Sequence, residues 1–298
     1  MISILIPSYN YNTLPMVTTL HSQAILENIP FEIIVQDDAS PINENTTINI
    51  KINELENCRF ERNETNLGRG QNRNYLITKA KYDWILLIDC DMFPKSKNFI
   101  KLYLQSIKKN TGKAFFGGII YYDEKPKDDE VLRWYFGKHR EEIPLTKRFK
   151  KPYHYALISN ILIRKELLIS YPFDSKIYNY GYEDIVFILG LKKQKISIHH
   201  IENPAFHLNL EKSAIFLEKF HSSLQNLKHL YDRKIIVEED TALTKMYGKI
   251  EILNLVKFVA FVFRLFKKRF TKNLLSKNPS IFIFDLYRLG YFCQINSR

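Results

Sequence analysis

An apolar run of strand length ends abruptly at two carboxylates in this chain. Residues 84–88 are uninterrupted apolar, and Asp89, Cys90 and Asp91 follow, with Pro94 shortly after. On an extended backbone Asp89 and Asp91 point to one side, and a proline donates no ladder hydrogen bond, so we expect the strand to end here. Carboxylate oxygens suit Mg²⁺ or Mn²⁺ holding a diphosphate. The alternative is a solvated turn after a strand.

The first 90 residues alternate between strand and helix patterns, which predicts a parallel sheet covered by helices on both faces. Ligands of such sheets bind beyond the carboxyl ends of the strands. Asp37 and Asp38 end the second predicted strand, so we expect them at the same edge as Asp89 and Asp91. The predicted segments are strands at 2–6, 31–36, 59–62 and 84–88, and helices at 13–28, 44–56 and 66–82.

A series of motifs, taken in order, resembles a family 2 glycosyltransferase, and the later ones resemble the galactosyltransferase-type carboxyl half. The resemblance implies a GT-A fold over residues 1–210. One departure is Ala39, where the family usually has glycine, because alanine is strained if that turn needs a positive φ. The motifs are Pro7-Ser8-Tyr9-Asn10, Asp37-Asp38-Ala39-Ser40, Asn66 and Gly68 with Arg73-Asn74, Asp89-Cys90-Asp91, Ser159 to Lys165, Pro172-Phe173-Asp174, Tyr180 to Asp184, and His207.

The resemblance implies a nucleotide-sugar donor, with a uridine diphosphate hexose as the default. Asp37 and Asp38 would meet the uracil and the ribose, and the alternative is that they cap a helix beginning near residue 41. Arg73 would brace the base or the diphosphate, unless it is a solvated arginine at a helix start. The implied donor-binding residues are Pro7, Tyr9, Asp37, Asp38, Gly68, Arg73 and Asp89.

The same resemblance implies a bound Mn²⁺ or Mg²⁺ ion. Asp91 would coordinate it directly, and Asp89 would contact the ribose or, through water, the metal. His207 would complete the site, since imidazole is an acceptable ligand for Mn²⁺. The alternative for His207 is a core histidine with its hydrogen bonds satisfied.

Glu183 and Asp184 precede an apolar stretch at 185–189 that predicts a buried helix, so the two carboxylates occupy its first turn. Acidic residues there also suit the helix dipole. A hydroxyl that attacks an anomeric carbon needs a base within hydrogen-bond reach. The resemblance implies that Asp184 is this base and that Glu183 holds the acceptor sugar, and the reverse assignment stays open.

The implied reaction is inverting transfer of a hexose or N-acetylhexosamine to a hydroxyl of a glycan or glycolipid, as in surface polysaccharide synthesis. The alternative is a nucleotidyltransferase, or a protein that binds nucleotide sugars without transfer. Residues 7–12 do not form the glycine-rich, lysine-bearing loop that activated-sugar synthesis would want. Three widely spaced cysteines and the missing basic leader predict a cytoplasmic chain.

We expect a catalytic domain at 1–210, with a nucleotide-sugar half at 1–120 and an acceptor half at 121–210, and a helical appendage at 211–298. Residues 251–298 hold nine Lys or Arg and two acids, so they carry seven of the twelve net positive charges. Their apolar runs are far shorter than the ~20 residues of a membrane span.

For this carboxyl-terminal segment we predict a basic amphipathic helix on an anionic membrane, at its inner face. An ordinary core helix and a contact between copies are the alternatives. No nucleic-acid-binding module is recognised, and the basic excess is concentrated in the tail. Elsewhere, residues 122–151 are charged and predict a mobile loop near the acceptor, or a solvated excursion.

Overall fold

The computed structural model describes residues 1–109, 111–174, 177 and 181–297. The chain forms two compact units. The first, here called the sheet unit, comprises Met1–Tyr121, Glu142–Lys176 and Phe187–Asn209. The second, the helical unit, comprises Tyr122–Glu141, Ile177–Val186 and Leu210–Arg298. The predicted domain boundary near residue 210 stays a prediction.

The strands of the described residues all lie in the sheet unit. They are β1 (Ile2–Ser8), β2 (Phe31–Asp37), β3 (Cys58–Arg62), β4 (Trp84–Ile88), β5 (Met92–Pro94), β6 (Ala114–Phe116), β7 (Ile119–Ile120), β8 (Asn160–Arg164), β9 (His199–His200) and β10 (Ala205–His207). The main sheet has the order β3-β2-β1-β4-β8-β6-β9. Strands β1 to β4 run parallel to one another, and β8 is antiparallel to both β4 and β6. The predicted, mostly parallel sheet is confirmed.

The helices of the first 90 residues, α1 to α3, lie where the sequence predicts helices. The helices of the described residues are α1 (Leu14–Leu26), α2 (Glu44–Ile50), α3 (Arg69–Thr78), α4 (Phe99–Lys109), α5 (Val131–Arg140), α6 (Leu145–Lys150), α7 (Pro152–Tyr155), α8 (Lys165–Ser170), α9 (Glu183–Lys193), α10 (Ser213–Asp232), α11 (Ala242–Ile252), α12 (Val256–Leu274) and α13 (Ile281–Asn296). Short 3₁₀ turns lie at Lys51–Glu54 and Glu238–Asp240.

Two predicted helices are shorter than their sequence patterns. The helix predicted at 66–82 begins at Arg69, because Gly68 at the N-cap has a φ of 80° that a helix does not accommodate. The helix predicted at 44–56 ends at Ile50 and tightens into a 3₁₀ turn. Its N-cap is Asn43, whose side chain accepts a hydrogen bond from the Thr46 amide at 3.2 Å. The suggestion that Asp37 and Asp38 cap this helix is therefore wrong.

Strand β4 ends at Ile88, as its apolar pattern predicts. The two following aspartates do not continue an extended backbone, however. Residues 89–92 form a tight turn in which the Met92 amide donates to the Asp89 carbonyl at 3.0 Å. Pro94 does not terminate the strand either, since it is the last residue of β5. The chain leaves the main sheet at this turn and enters a second one.

The second sheet has the order β5-β10-β7 and places a histidine beside the turn. Strand β10 is antiparallel to β5, and His207 is paired in register with Met92. The Leu208 amide donates to the Asp91 carbonyl at 2.8 Å, which extends this pairing into the turn. Residues 115 and 117 positions apart in sequence thus become neighbours through a single strand register.

The segment at 122–151 is not the loop or solvated excursion that its charge predicts, because α5 and α6 lie there. The sequence looks solvated because it is charged, yet two of its arginines are buried. Arg133 pairs with Glu141 at 3.0 Å and lies over the Phe216 ring, and Arg148 donates from Nε to the Ile143 carbonyl at 3.0 Å. Buried charges with partners are compatible with a core.

The helical unit has its own apolar core, formed by α5, α10, α12 and α13. Its buried members are Leu132, Phe216, Leu217, Phe263, Leu274, Phe284 and Tyr287. Part of the basic carboxyl-terminal segment therefore packs as ordinary core helices. Within the described residues, no helix is both long enough and apolar enough to cross a membrane.

Candidate active site

A partly buried ion pair lies at the carboxyl end of β4. The Arg73 guanidinium, on α3, is 2% exposed and donates to the Asp89 carboxylate at 2.9 Å. The Phe173 ring lies 5.4 Å from the same guanidinium. The alternative of a solvated helix-start arginine is therefore wrong for Arg73. This pair fixes the start of the Asp89–Asp91 turn relative to α3.

The Asp89 side chain is 25% exposed, and the pKa of its carboxyl is lowered. Burial would raise the pKa of this carboxyl, but the positive charges of Arg73 and Arg69 hold the pKa below its ordinary value. Arg69 is the first residue of α3, and no sequence motif predicted a role for it. The site thus contains a negative carboxylate and two cations at the amino end of one helix.

Removing the carboxylate of this pair is expected to destabilise the fold. Asp89→Ala should lower the free energy of unfolding by about 3 kcal/mol, because it removes a carboxylate that the buried Arg73 guanidinium hydrogen-bonds. The measurement is urea unfolding followed by circular dichroism. Asp83→Ala is the matched control, since Asp83 forms an exposed pair with Arg164 at 3.7 Å, and it should change stability by under about 0.5 kcal/mol. Equal urea midpoints for the two variants would contradict this account.

Asp91 and His207 form the second half of this site. Their Oδ2 and Nε2 atoms are 3.5 Å apart, and the imidazole stacks on the Tyr121 ring with centroids 5.4 Å apart. Two ligand atoms of one octahedral Mn²⁺ or Mg²⁺ ion are about 3 Å apart when each bond is near 2.1 Å. The observed separation therefore fits a shared cation. Among the described residues, no group of three or more His, Cys, Asp or Glu forms a complete metal cage.

The loop after β1 lies over the same turn. Burial, together with the negative charge of Asp91, raises the pKa of Tyr11 to about 12, so its hydroxyl stays protonated and can donate a hydrogen bond. The Tyr9 amide contacts the Cys90 thiol, whose pKa is raised by burial and by the two flanking aspartates. Pro7 is the penultimate residue of β1, and Tyr9 follows that strand with an exposed ring.

The predicted donor-binding carboxylates at the end of β2 accept hydrogen bonds within the protein. Asp37 accepts hydrogen bonds from the Ser40 amide at 2.7 Å and from the Ser40 hydroxyl at 2.5 Å. Asp38 accepts from the backbone amides of Leu67 and Gly68 at 2.8 and 2.9 Å. Both side chains thus shape the loops beside the strand ends. Their contact with a base or ribose stays a prediction.

Ala39 has a φ of 59°, so the turn does need the conformation for which glycine is suited. Ala39→Gly is expected to raise the free energy of unfolding by about 0.5 to 1 kcal/mol. The left-handed conformation costs alanine about 1–2 kcal/mol, and glycine loses about 0.5–1 kcal/mol of entropy. Urea unfolding measures the change. Ala24→Gly in α1 is the control and should destabilise, because Ala24 is a buried helical residue. A lower midpoint for Ala39→Gly would exclude the strain.

The candidate catalytic carboxylates belong to the helical unit. Glu183 and Asp184 form the first turn of α9, as predicted. Glu183 is buried, whereas Asp184 is half-buried and the more accessible of the two. Tyr180, which belongs to the same motif, lies outside the described residues. Exposure therefore distinguishes two neighbouring acids that the sequence could not separate.

An unusual backbone precedes these acids. Gly181 and Tyr182 have φ values of 90° and 72°, and the second is rare for an aromatic residue. A Cβ at Gly181 would lie 2.8 Å from Ser223 Cβ, so the glycine is required by space as well as by conformation. Asn226 donates to the Gly181 carbonyl, and Arg288 hydrogen-bonds Tyr182, whose pKa is raised by burial. Strain of this kind concentrates at functional sites.

Comparisons with known proteins agree with this architecture. The family model described as glycosyl transferase family 2 matches residues 3–171. The chain is 27% identical over 122 residues to a chondroitin synthase of Pasteurella multocida (strain Pm70). That match spans 41% of this chain and 12% of the chondroitin synthase.

Two solved structures share the fold. Residues 1–349 of S. aureus TarS align with all of this chain and 91% of that one, with a TM-score of 0.52 and 17% identity. The mannosyltransferase PcManGT of Pyrobaculum calidifontis aligns over 76% of this chain and 63% of that one, with a TM-score of 0.52 and 13% identity. The predicted GT-A fold is confirmed. Since the family model covers more than half of the residues, the chain belongs to glycosyl transferase family 2.

Proposed function

We propose that this glycosyltransferase moves a hexose or N-acetylhexosamine from a nucleotide sugar to a hydroxyl of a glycan or glycolipid acceptor. The observation that carries the proposal is the cluster of Arg73, Asp89, Asp91 and His207 at the carboxyl end of β4. Open parallel sheets bind their ligands at this edge. The similarity to a chondroitin synthase supports a sugar-polymer product, as in surface polysaccharide synthesis.

A UDP-linked donor is proposed to bind along the loops that follow β1 and β2. Asp37 and Asp38 would meet the base and the ribose with the lone pairs that their internal hydrogen bonds leave. The space beside Gly68 is open, since a Cβ there would meet no atom within 4 Å. A ligand could therefore approach the backbone closely at this residue. Arg73 would act indirectly, because its positive charge holds the Asp89 carboxylate ionised. PcManGT, which shares the fold, was solved with GDP-Man, so a nucleotide sugar suits this architecture.

A divalent cation is proposed to bind at Asp91 and His207, with Asp89 nearby. The 3.5 Å separation of Asp91 Oδ2 and His207 Nε2 supports a shared ligand, and Asp89 is held by Arg73. PcManGT was solved with Mn²⁺. When bound, Mn²⁺ or Mg²⁺ would supply positive charge to the leaving diphosphate. The pairing of β5 with β10 places the His207 imidazole beside the Asp91 carboxylate, so the chain itself holds two different kinds of metal ligand together.

The proposed reaction is a single displacement with inversion. The acceptor oxygen forms a bond to the anomeric carbon, the bond from that carbon to the diphosphate oxygen breaks, and Asp184 takes the hydroxyl proton. Glu183 would hydrogen-bond the acceptor sugar. The greater accessibility of Asp184 supports this order of roles. No covalent intermediate is required, because one base and one leaving group account for all bonds made and broken.

The proposed location is cytoplasmic, with a lipid-linked glycan as one candidate acceptor at the inner membrane face. Cys58, Cys90 and Cys293 are all free thiols, which supports a reducing compartment.

The function is tested with a panel of UDP, GDP and CMP sugars, with Mn²⁺ or with EDTA. We expect release of the nucleoside diphosphate from a UDP sugar, and faster release when a glycan acceptor is added. Donor binding without release would favour a nucleotide-sugar-binding protein. Formation of pyrophosphate from a nucleoside triphosphate and a sugar phosphate would favour a nucleotidyltransferase. Either result would overturn the proposal.

A further inference from the structure

Helix α12 has two apolar faces, and the core of the helical unit uses one of them. Ala260, Phe263 and Leu274 are buried on the first face. Phe258, Phe261 and Leu265 are 62%, 52% and 64% exposed. At 100° per residue these three fall within about 60° of one another and roughly opposite the buried face. The helix therefore carries an apolar stripe that the fold does not cover.

The stripe continues into the corner between α11 and α12. Ile252, Leu253 and Leu255 are between 42% and 74% exposed. Ile252 ends α11, and Leu253 and Leu255 lie in the connection to α12. These three residues and Phe258, Phe261 and Leu265 are here called the outer face of α12. Single exposed apolar residues are ordinary, whereas a contiguous group of six large ones marks an interaction surface.

The charge along α12 and its carboxyl-terminal flank has one sign. From residue 252 to residue 284 the chain contains no Asp or Glu, and it contains seven cations. Lys257, Arg264 and Lys268 lie along one flank of the stripe by helical position, and Arg269 lies along the other. Lys272 follows the stripe on the next turn. The full set is Lys257, Arg264, Lys267, Lys268, Arg269, Lys272 and Lys277.

This combination selects among the partners that an apolar face can have. A symmetric contact between two copies would bring the two sets of cations together, and like charges oppose association. An anionic bilayer satisfies both properties, because apolar side chains enter the acyl boundary while Lys and Arg meet lipid phosphates. We propose that the outer face of α12 docks the protein on an anionic membrane surface.

Vesicle binding by the full chain tests the proposal. We expect sedimentation with vesicles of phosphatidylcholine and phosphatidylglycerol but not with phosphatidylcholine vesicles. Binding should weaken as salt rises, since the Debye length falls from about 10 Å at 0.1 M to about 3 Å at 1 M. Equal binding to both kinds of vesicle, or to neither, would overturn the proposal.

Two variants separate the apolar and charged contributions. Phe258→Ser with Phe261→Ser should weaken the partition onto anionic vesicles roughly 100-fold, since each buried phenylalanine contributes about tenfold. Lys268→Gln with Lys272→Gln should weaken it roughly 30-fold, because each cation contributes about fivefold. The apolar control is Leu26→Ser, an exposed leucine of α1. The charge control is Lys108→Gln with Lys109→Gln, which removes two exposed cations from α4.

Both controls should bind vesicles like the parent, and circular dichroism should be unchanged in all four variants because every substituted side chain is exposed. Analytical ultracentrifugation tests the alternative, a contact between copies of the chain. If the parent is a dimer that Phe258→Ser with Phe261→Ser dissociates, while anionic vesicles capture neither, the face is a contact between copies and the membrane proposal is wrong. Donor turnover in solution is measured separately, so failure of docking does not bear on the proposed reaction.

Discussion

Asp91→Ala is expected to abolish Mn²⁺-dependent UDP binding while the melting temperature changes by no more than about 2 °C. The carboxylate is one of two side chains that face a shared position, and its Oδ2 lies 3.5 Å from His207 Nε2. Its structural contact is through the backbone, where the Asp91 carbonyl accepts from the Leu208 amide, and alanine retains that bond. Because the side chain is partly exposed, its removal should cost under about 0.5 kcal/mol.

Calorimetry with UDP and Mn²⁺ gives the affinity, and the electron paramagnetic resonance signal of free Mn²⁺ gives metal binding without reference to turnover. Asp83→Ala is the control, because Asp83 is an exposed aspartate that precedes the same strand. It should bind Mn²⁺ and UDP like the parent. If Asp91→Ala retains Mn²⁺-dependent UDP binding at the parent affinity, Asp91 is not a ligand and the solvated-turn interpretation is correct.

The parallel part of the sheet could be predicted because each strand carries its own signal. Strands β1, β2 and β4 are apolar runs buried on both faces, and each ends at a polar cluster. Such runs can be recognised as buried strands from their own residues, without knowing which distant residues pack against them. The same holds for the first turn of α9, where two acids precede an apolar stretch.

The partners of the site residues could not be predicted, since they are distant in sequence. Asp38 is occupied by backbone amides 29 and 30 residues away, and backbone amides leave no trace in a sequence. The burial of Arg73 depends on the Phe173 ring, which is supplied 100 residues later. A short motif indicates the residue type that a site needs, whereas its partner is set by tertiary packing.

The prediction for the charged segment at 122–151 is wrong for a related reason. Hydrophobic patterning treats arginine as solvent-facing, but Arg133 and Arg148 are buried with a carboxylate and a carbonyl as partners. For the carboxyl-terminal segment, the composition alone does not decide between two environments. Its mixed composition is compatible with core and with membrane, and the structure places the core on one face of α12 and leaves the other exposed.

Asp184→Asn is expected to lower turnover by roughly 10² to 10⁴ while the affinity for the UDP donor stays at the parent value. General-base catalysis contributes about this factor, and an amide keeps the shape of the carboxylate but cannot take the proton. Asp184 is the accessible member of the pair at the start of α9. Single-turnover transfer to a glycan acceptor measures the chemical step, and calorimetry with UDP measures donor affinity.

Glu183→Gln is the matched control, because it removes the neighbouring charge by an equally conservative change. We expect it to raise KM for the acceptor more than it lowers kcat, since Glu183 is buried and is assigned to positioning. The pH profile separates a base from a structural group: the parent rate should fall as the base is protonated, and Asp184→Asn should lose that limb. A larger loss of turnover in Glu183→Gln than in Asp184→Asn would reverse the two roles, and a parallel loss of UDP affinity in Asp184→Asn would make Asp184 a structural residue.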